Sequence, residues 1–78
     1  MEIDTKKIDD AVLALLFLTL HDGDRSWKSH DWDAMNRLHE KGLISDPVGK
    51  TKSVVLSERG LADSEQLFND LFTLRQQK

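Results

Sequence analysis

The chain contains no cysteine. That excludes a disulfide framework, a thiolate metal site and thiol chemistry. It also lacks a long apolar run. The longest, Ala11 to Leu20, spans ten positions and includes Thr19, about half of the roughly 20 residues that a bilayer span requires. Asp4, Asp9 and Asp10 precede that run, the wrong flank for a secretory signal. These absences lead to the expectation of a soluble cytoplasmic protein that makes no membrane contact. Positive charge is scarce as well. The net charge is −3, and only residues 25–59 are net basic, with seven bases against five acids, whereas residues 1–24 carry six acids against Lys6 and Lys7. This is well short of the basic patch of a dedicated nucleic-acid binder.

No nucleophile elbow or phosphate-cradling glycine loop is present. His21, Asp22 and Asp24 form one cluster of potential metal ligands, and His30, Asp31 and Asp33 another. Neither has the i, i+4 histidine spacing of a helical metal site. Asp31 suits a helix cap, Asp22 and Asp24 suit a turn around Gly23, and His39 suits half-buried packing at the apolar edge of its helix. The expectation is therefore a non-enzymatic protein with no catalytic residue, no metal and no cofactor. At 78 residues it makes one domain, residues 1–78. A chain so short has a thin stability margin, so it must pack very well or oligomerise.

What is present is a clear order of elements. The first helix is expected to begin after Asp4 or Thr5, either of which can cap it. At about 100° per residue, Ile8, Ala11, Val12, Leu15, Leu16 and Leu18 form one apolar arc, while Leu13, Phe17 and Leu20 form a second stripe. His21 to Ser29 reads as turn or loop. A second helix is expected over Trp32 to Lys41, capped by Ser29 or Asp31 and stopped by Gly42 in a left-handed conformation. Its apolar side is Trp32, Met35 and Leu38. Trp32 is expected to anchor it in the core, whereas Trp27 either covers the loop or meets a partner. Leu43 to Ser45 and Lys52 to Leu56 read as paired strands around the turn Asp46 to Thr51, with Pro47 and Gly49 shaping the turn. Ser57 caps a last helix whose apolar face is Leu61, Ser64, Phe68, Leu71 and Phe72, with Leu67 and Leu74 on the shoulder. The polar tail 75–78 is expected to fray.

The run Arg37 to Phe68 resembles the winged-helix regulators of bacteria. In those families the recognition helix ends in a pattern like L-x-x-K-G-L-I, and the return strand of the wing enters L-[ST]-x-x-G. Here the matching residues are Leu38, Lys41, Gly42, Leu43 and Ile44, then Leu56, Ser57 and Gly60. The resemblance implies a small α+β winged-helix-like domain, ordered helix, loop, helix, two-stranded hairpin wing and C-terminal helix. Over its full length the chain is also similar to a small bacterial family known only as a domain of unknown function. Asp9 to Asp22, Trp27, Asp31-Trp32-Asp33 and His39 to Val55 carry that likeness. Winged helices place a full helix ahead of the recognition helix, and the ten residues His21 to His30 leave room for one turn at most.

Two functions follow. The first is a nucleic-acid-binding regulator or accessory factor that contacts double-stranded DNA through Asn36, Arg37, Lys41, Lys50 and Lys52. Asp33 and Glu40 on the same helix face would repel phosphates. The second is a dimeric protein–protein interaction module of the same fold, without DNA binding. It would use Leu13, Phe17, Leu20, Trp27, Leu67 and Leu74 as the homodimer or partner surface, because the second stripe of the first helix has no obvious cover within the chain.

Overall fold

In the computed structural model, which describes residues 1–74, the elements are α1 (Thr5–Leu18), β1 (Arg25–Trp27), α2 (Trp32–Glu40), β2 (Ser53–Val55) and α3 (Glu58–Phe72). Side chains cap all three helices by accepting an otherwise orphaned amide. The Asp4 carboxylate accepts from Lys7 N at 3.1 Å, Asp31 from Ala34 N at 3.0 Å, and Ser57 Oγ from Gly60 N at 3.0 Å. Asp4 rather than Thr5, and Asp31 rather than Ser29, are thus the caps. At the far end of α2, Gly42 has φ +76°, Gly42 N donates to His39 O, and Leu43 N reaches back to Leu38 O. That pair of bonds closes the helix in a Schellman motif and turns the chain toward Ile44. The expected tail at 75–78 lies outside the described residues.

The sheet corrects the sequence reading in one respect. His21 to Ser29 is not all loop, because β1 lies within it and forms the antiparallel ladder with β2, in the register Arg25↔Val55, Ser26↔Val54, Trp27↔Ser53. Leu43 to Ser45 does lie against the end of β2, but through a single bridge, Ile44↔Leu56, with Ser45 N donating to Val55 O at 2.8 Å and Val55 N to Ser45 Oγ at 2.9 Å. The reason β1 is hidden in sequence is Ser26. This polar residue is fully buried, and its Oγ donates to Leu16 O at 2.7 Å and shares a 2.7 Å hydrogen bond with Thr19 Oγ. A serine that completes the hydrogen bonding at the end of α1 replaces the apolar alternation by which a strand is normally read.

The core joins Val12, Leu13 and Leu16 of α1 to Ala34, Met35 and Leu38 of α2, and to Leu43, Ile44, Val54 and Leu56. α3 packs along α1, and this changes the expected roles of several residues. Leu13, assigned from sequence to a partner surface, is 1% exposed because α3 covers it. Phe17 meets Phe68 at a ring separation of 5.3 Å, and Leu20 and Leu67 pack half-buried against the core. The cover that the second stripe needs thus comes largely from the chain's own last helix. Conversely, Trp32 is no core anchor. It stands 54% exposed at the first position of α2, while Met35 and Leu38 fill the interior.

Candidate functional site: an aromatic cleft beside the sheet

The outward side of α2 is less available than its sequence suggests. Arg37 is turned back onto α1, where Nε and Nη2 donate to the two carboxylate oxygens of Asp9 at 2.8–3.0 Å. Lys41 Nζ adds a contact to Asp9 at 3.4 Å. Asp9 is 2% exposed, so the pair closes the α1–α2 seam. The Arg37 hydrogen bonds hold the Asp9 carboxyl below its usual range against the opposing effect of burial, with Lys41 adding to the depression. Of the five residues assigned to DNA contact, Asn36 alone stands exposed on α2 without this commitment, and Lys50 and Lys52 lie apart on the turn before β2. Sequence reasoning read Asp9 as one of the acids flanking the apolar run, without a partner on α2. The signal for its true place was its spacing, since 9, 12, 13 and 16 fall on one face of α1 and the other three positions are apolar.

A second cluster gathers where β1, the start of α2 and the turn before β2 meet. Trp27, Lys28, Ser29, His30, Trp32 and Lys52 line an open cleft of about 420 Å³. Strand alternation places Trp27 and Arg25 on the outer face of β1 while Ser26 points inward. His21 stacks on Trp27, with ring centroids 4.3 Å apart and planes inclined by 27°. Trp27 nevertheless stays 51% exposed, so the imidazole backs one side of the indole and leaves solvent access to the rest. Burial lowers the pKa of His30.

Lys28 fixes the far wall. Its Nζ donates to Pro47 O at 2.8 Å and to Gly49 O at 3.0 Å, and its backbone N donates to Lys52 O at 3.1 Å. The turn that carries Lys50 and Lys52 is thereby tied to β1. Within it, the Asp46 carboxylate accepts from Val48 N at 2.9 Å, so this acid is engaged locally. The structure thus brings Trp27, Lys28, His30, Trp32 and Lys52 together and leaves Asn36, Arg37 and Lys41 elsewhere. Leu74 is 97% exposed, unlike the buried Leu13 with which it was grouped. Sequence reasoning missed Lys28, His30 and Trp32 as site residues. The available signal was a pair of tryptophans five positions apart flanking a lysine and a histidine in a polar segment.

Among the described residues no group of three or more His, Asp or Glu side chains converges as a metal site would. Neither is any helix among them long and apolar enough to cross a membrane. Residues 4–74 match the profile of a family described as a domain of unknown function, DUF6429. The chain is similar to the uncharacterized protein y4hR of Sinorhizobium fredii, 63% identical over 73 residues that cover 94% of this chain and 99% of the relative. No solved structure matches the chain.

Proposed function

The chain belongs to the DUF6429 family, whose description carries no activity, and from its own surface we propose that it is a non-enzymatic nucleic-acid-binding module with a winged-helix-like fold. The observation that carries this reading is the clamp of Lys28. By holding Pro47 O and Gly49 O it sets Lys50 and Lys52 beside β1, whose outer face bears Arg25. Dispersed cations become one rigid basic edge, and it lies within residues 25–59, the net-basic stretch of a chain whose net charge is −3. The winged-helix likeness is supported by the order α2, glycine stop, bridge at Ile44, turn, β2 and capped α3.

Insertion of α2 into a duplex groove is the weaker form of the reading. β1, rather than a helix, occupies the segment ahead of α2, and Arg37 and Lys41 are engaged by Asp9. A recognition helix normally works with a companion helix that crosses the backbone. The strand edge, with Lys50 and Lys52, carries the proposal instead.

Electrophoretic mobility shift or anisotropy titrations across a salt series test it. Binding should weaken steeply with salt, with a log–log slope of about −0.7 per contacted phosphate for single strands and about −0.9 for duplex. Lys50→Gln and Lys52→Gln should each flatten that slope by roughly one contact, whereas Asn36→Ala should leave it unchanged. Absence of binding at low salt to either form of nucleic acid would end the proposal.

A second reading, the homodimer, is favoured by a different observation. Leu18, Leu71, Phe72 and Leu74 are all exposed at the ends of α1 and α3, where the Phe17–Phe68–Phe72 row reaches the surface. Patches of this kind mark contact surfaces. Light scattering should then give a mass near twice 8.9 kDa, reduced toward the single-chain value by Phe72→Ser. A clean monomer at high micromolar concentration would remove this reading.

A further inference from the structure

We propose that the cleft between Trp27 and Trp32 is a binding site for single-stranded nucleic acid, with unpaired bases stacking on the indoles and the strand's phosphates drawn to Lys52, Lys50 and Arg25. The inference rests on the nucleic-acid reading above and names the form of the ligand and the groups that hold it.

The first argument is the exposure of the tryptophans. The chain has two, and both are about half exposed, at 51% and 54%, on the same cleft. A small domain that needs its apolar side chains for stability gains little from leaving its two largest in water. Tryptophans in such positions are more often binding elements than packing ones. The second argument is preparation. His21 backs Trp27 at 4.3 Å, and the next turn of chain is fixed by the Lys28 clamp and by Lys28 N on Lys52 O. The indole is therefore held in place before any ligand arrives, which lowers the ordering cost of stacking on it.

The third argument is the chemistry of the lining. The cleft is walled by two indoles, an imidazole, a hydroxyl and two ammonium groups, with no aliphatic side chain among the six residues. A groove for an apolar helix or peptide would present leucine, isoleucine or valine. Flat π-surfaces interleaved with cations match a ligand that alternates flat rings and phosphates, which is how sequence-tolerant single-strand binders work. A duplex hides the faces of its bases within the stack and can offer this cleft only its backbone. The carboxylates nearby are partly committed, since Asp31 caps α2 and Asp46 accepts from Val48 N. Asp33, exposed in the first turn of α2, opposes binding on that side and directs the strand toward the sheet edge.

The test uses the full chain and a labelled oligothymidylate of roughly 12 nucleotides, within the span that single-strand sites cover. Anisotropy gives affinity, and intrinsic emission reports the cleft directly, because its two indoles are the only tryptophans in the protein. The expected results are tryptophan quenching on saturation and an affinity at least tenfold higher for the single strand than for a duplex of equal length. Trp27→Ala and Trp32→Ala should each weaken binding about tenfold or more. Their thermal transitions should remain cooperative, since both side chains are half in water already. His21→Ala, which removes the backing ring without touching the cleft's cations, should weaken binding less than either.

Three outcomes overturn the inference while leaving the broader reading intact. They are equal affinity for duplex, binding without a change in tryptophan emission, and binding indifferent to both tryptophan variants. No binding of any nucleic acid at low salt removes both readings together.

Discussion

Replacing Gly60 by alanine should destabilise the domain by about 2–3 kcal/mol, although alanine is the better helix former. Gly60 is buried in the first turn of α3, and a Cβ built on it would lie 2.0 Å from Leu43 O and 3.0 Å from Leu43 C. Those atoms are backbone and cannot rotate away. Leu43 O is also held where it is, because it accepts from Ser57 N at 3.0 Å and from Ser57 Oγ at 3.3 Å. The methyl group can therefore be admitted only by moving α3 away from the end of α2, and a clash this deep with backbone costs at or above the top of the usual overpacking range, about 3–4 kcal/mol. The intrinsic gain of alanine over glycine, about 1 kcal/mol, opposes it and is outweighed. For a domain of this size the transition should fall by on the order of 10–20 °C. Ala62→Gly, at an exposed position two residues later, provides the comparison. Propensity alone makes it the harmful change, at about 1 kcal/mol. Thermal denaturation of the two variants decides the matter: if Gly60→Ala melts at or above the wild-type temperature, the close approach of α3 to Leu43 is wrong.

The second large effect concerns Asp9, and it depends on pH. Asp9 is ionised inside the α1–α2 seam because Arg37 and Lys41 face it. In the unfolded chain it should titrate near the ordinary value of about 3.9, and in the folded chain below that, chiefly through the Arg37 hydrogen bonds. A carboxyl whose folded pKa is depressed contributes stability that is fully present above the unfolded value and is lost as pH falls through the folded one. Asp9→Asn should therefore cost about 2 kcal/mol at pH 7, in the range for hydrogen bonds to charged groups, and less at pH 3, which lies below the unfolded value.

Arg37→Ala should show the same pH dependence for a different reason. It leaves the buried carboxylate with Lys41 alone at 3.4 Å, so burial then raises the Asp9 pKa and the variant is most impaired at neutral pH. Asp9→Leu removes the charge that must be satisfied and lets the partly exposed Arg37 side chain turn to solvent, so at pH 7 it should be the milder of the two. Urea unfolding at pH 7 and pH 3 measures all three. An Arg37→Ala variant milder than Asp9→Leu at pH 7, or an Asp9→Asn penalty independent of pH, would contradict the pairing.

These two positions also show how far the sequence could be read. The L-S-x-x-G run was recognisable as a strand end and helix cap, and Ser57 is that cap. The glycine's reason was not legible, because it lies in the carbonyl of a residue seventeen positions earlier. Helices and caps were accessible because their signals are local: periodicity, an acceptor side chain at the start, and a glycine at the stop. β1 was not, since its central residue is a serine buried by partners on α1. The candidate site was legible only in part. Lys50 and Lys52 could be picked out as basic turn residues, but Arg37 and Lys41 have the same charge and are spent on Asp9. Charge alone cannot separate a cation that faces solvent from one that neutralises a buried acid. Trp32 was misjudged for a related reason. An aromatic at helical spacing is usually core, and nothing local says that Met35 and Leu38 already fill the space available to Trp32.

The β1–β2 ladder has a consequence for the order in which the protein assembles. It joins residues 25–27 to 53–55 and so closes a loop that contains the whole of α2. Until that loop closes, its ends are separated by a long, wandering segment, and non-local closure of this kind slows folding. A formed α2 advances only about 1.5 Å per residue instead of more than 3 Å, so it shortens and stiffens the segment before the strands meet. Asp31 at its start and Gly42 at its stop therefore act on the speed of strand pairing as well as on the stability of the helix they bound.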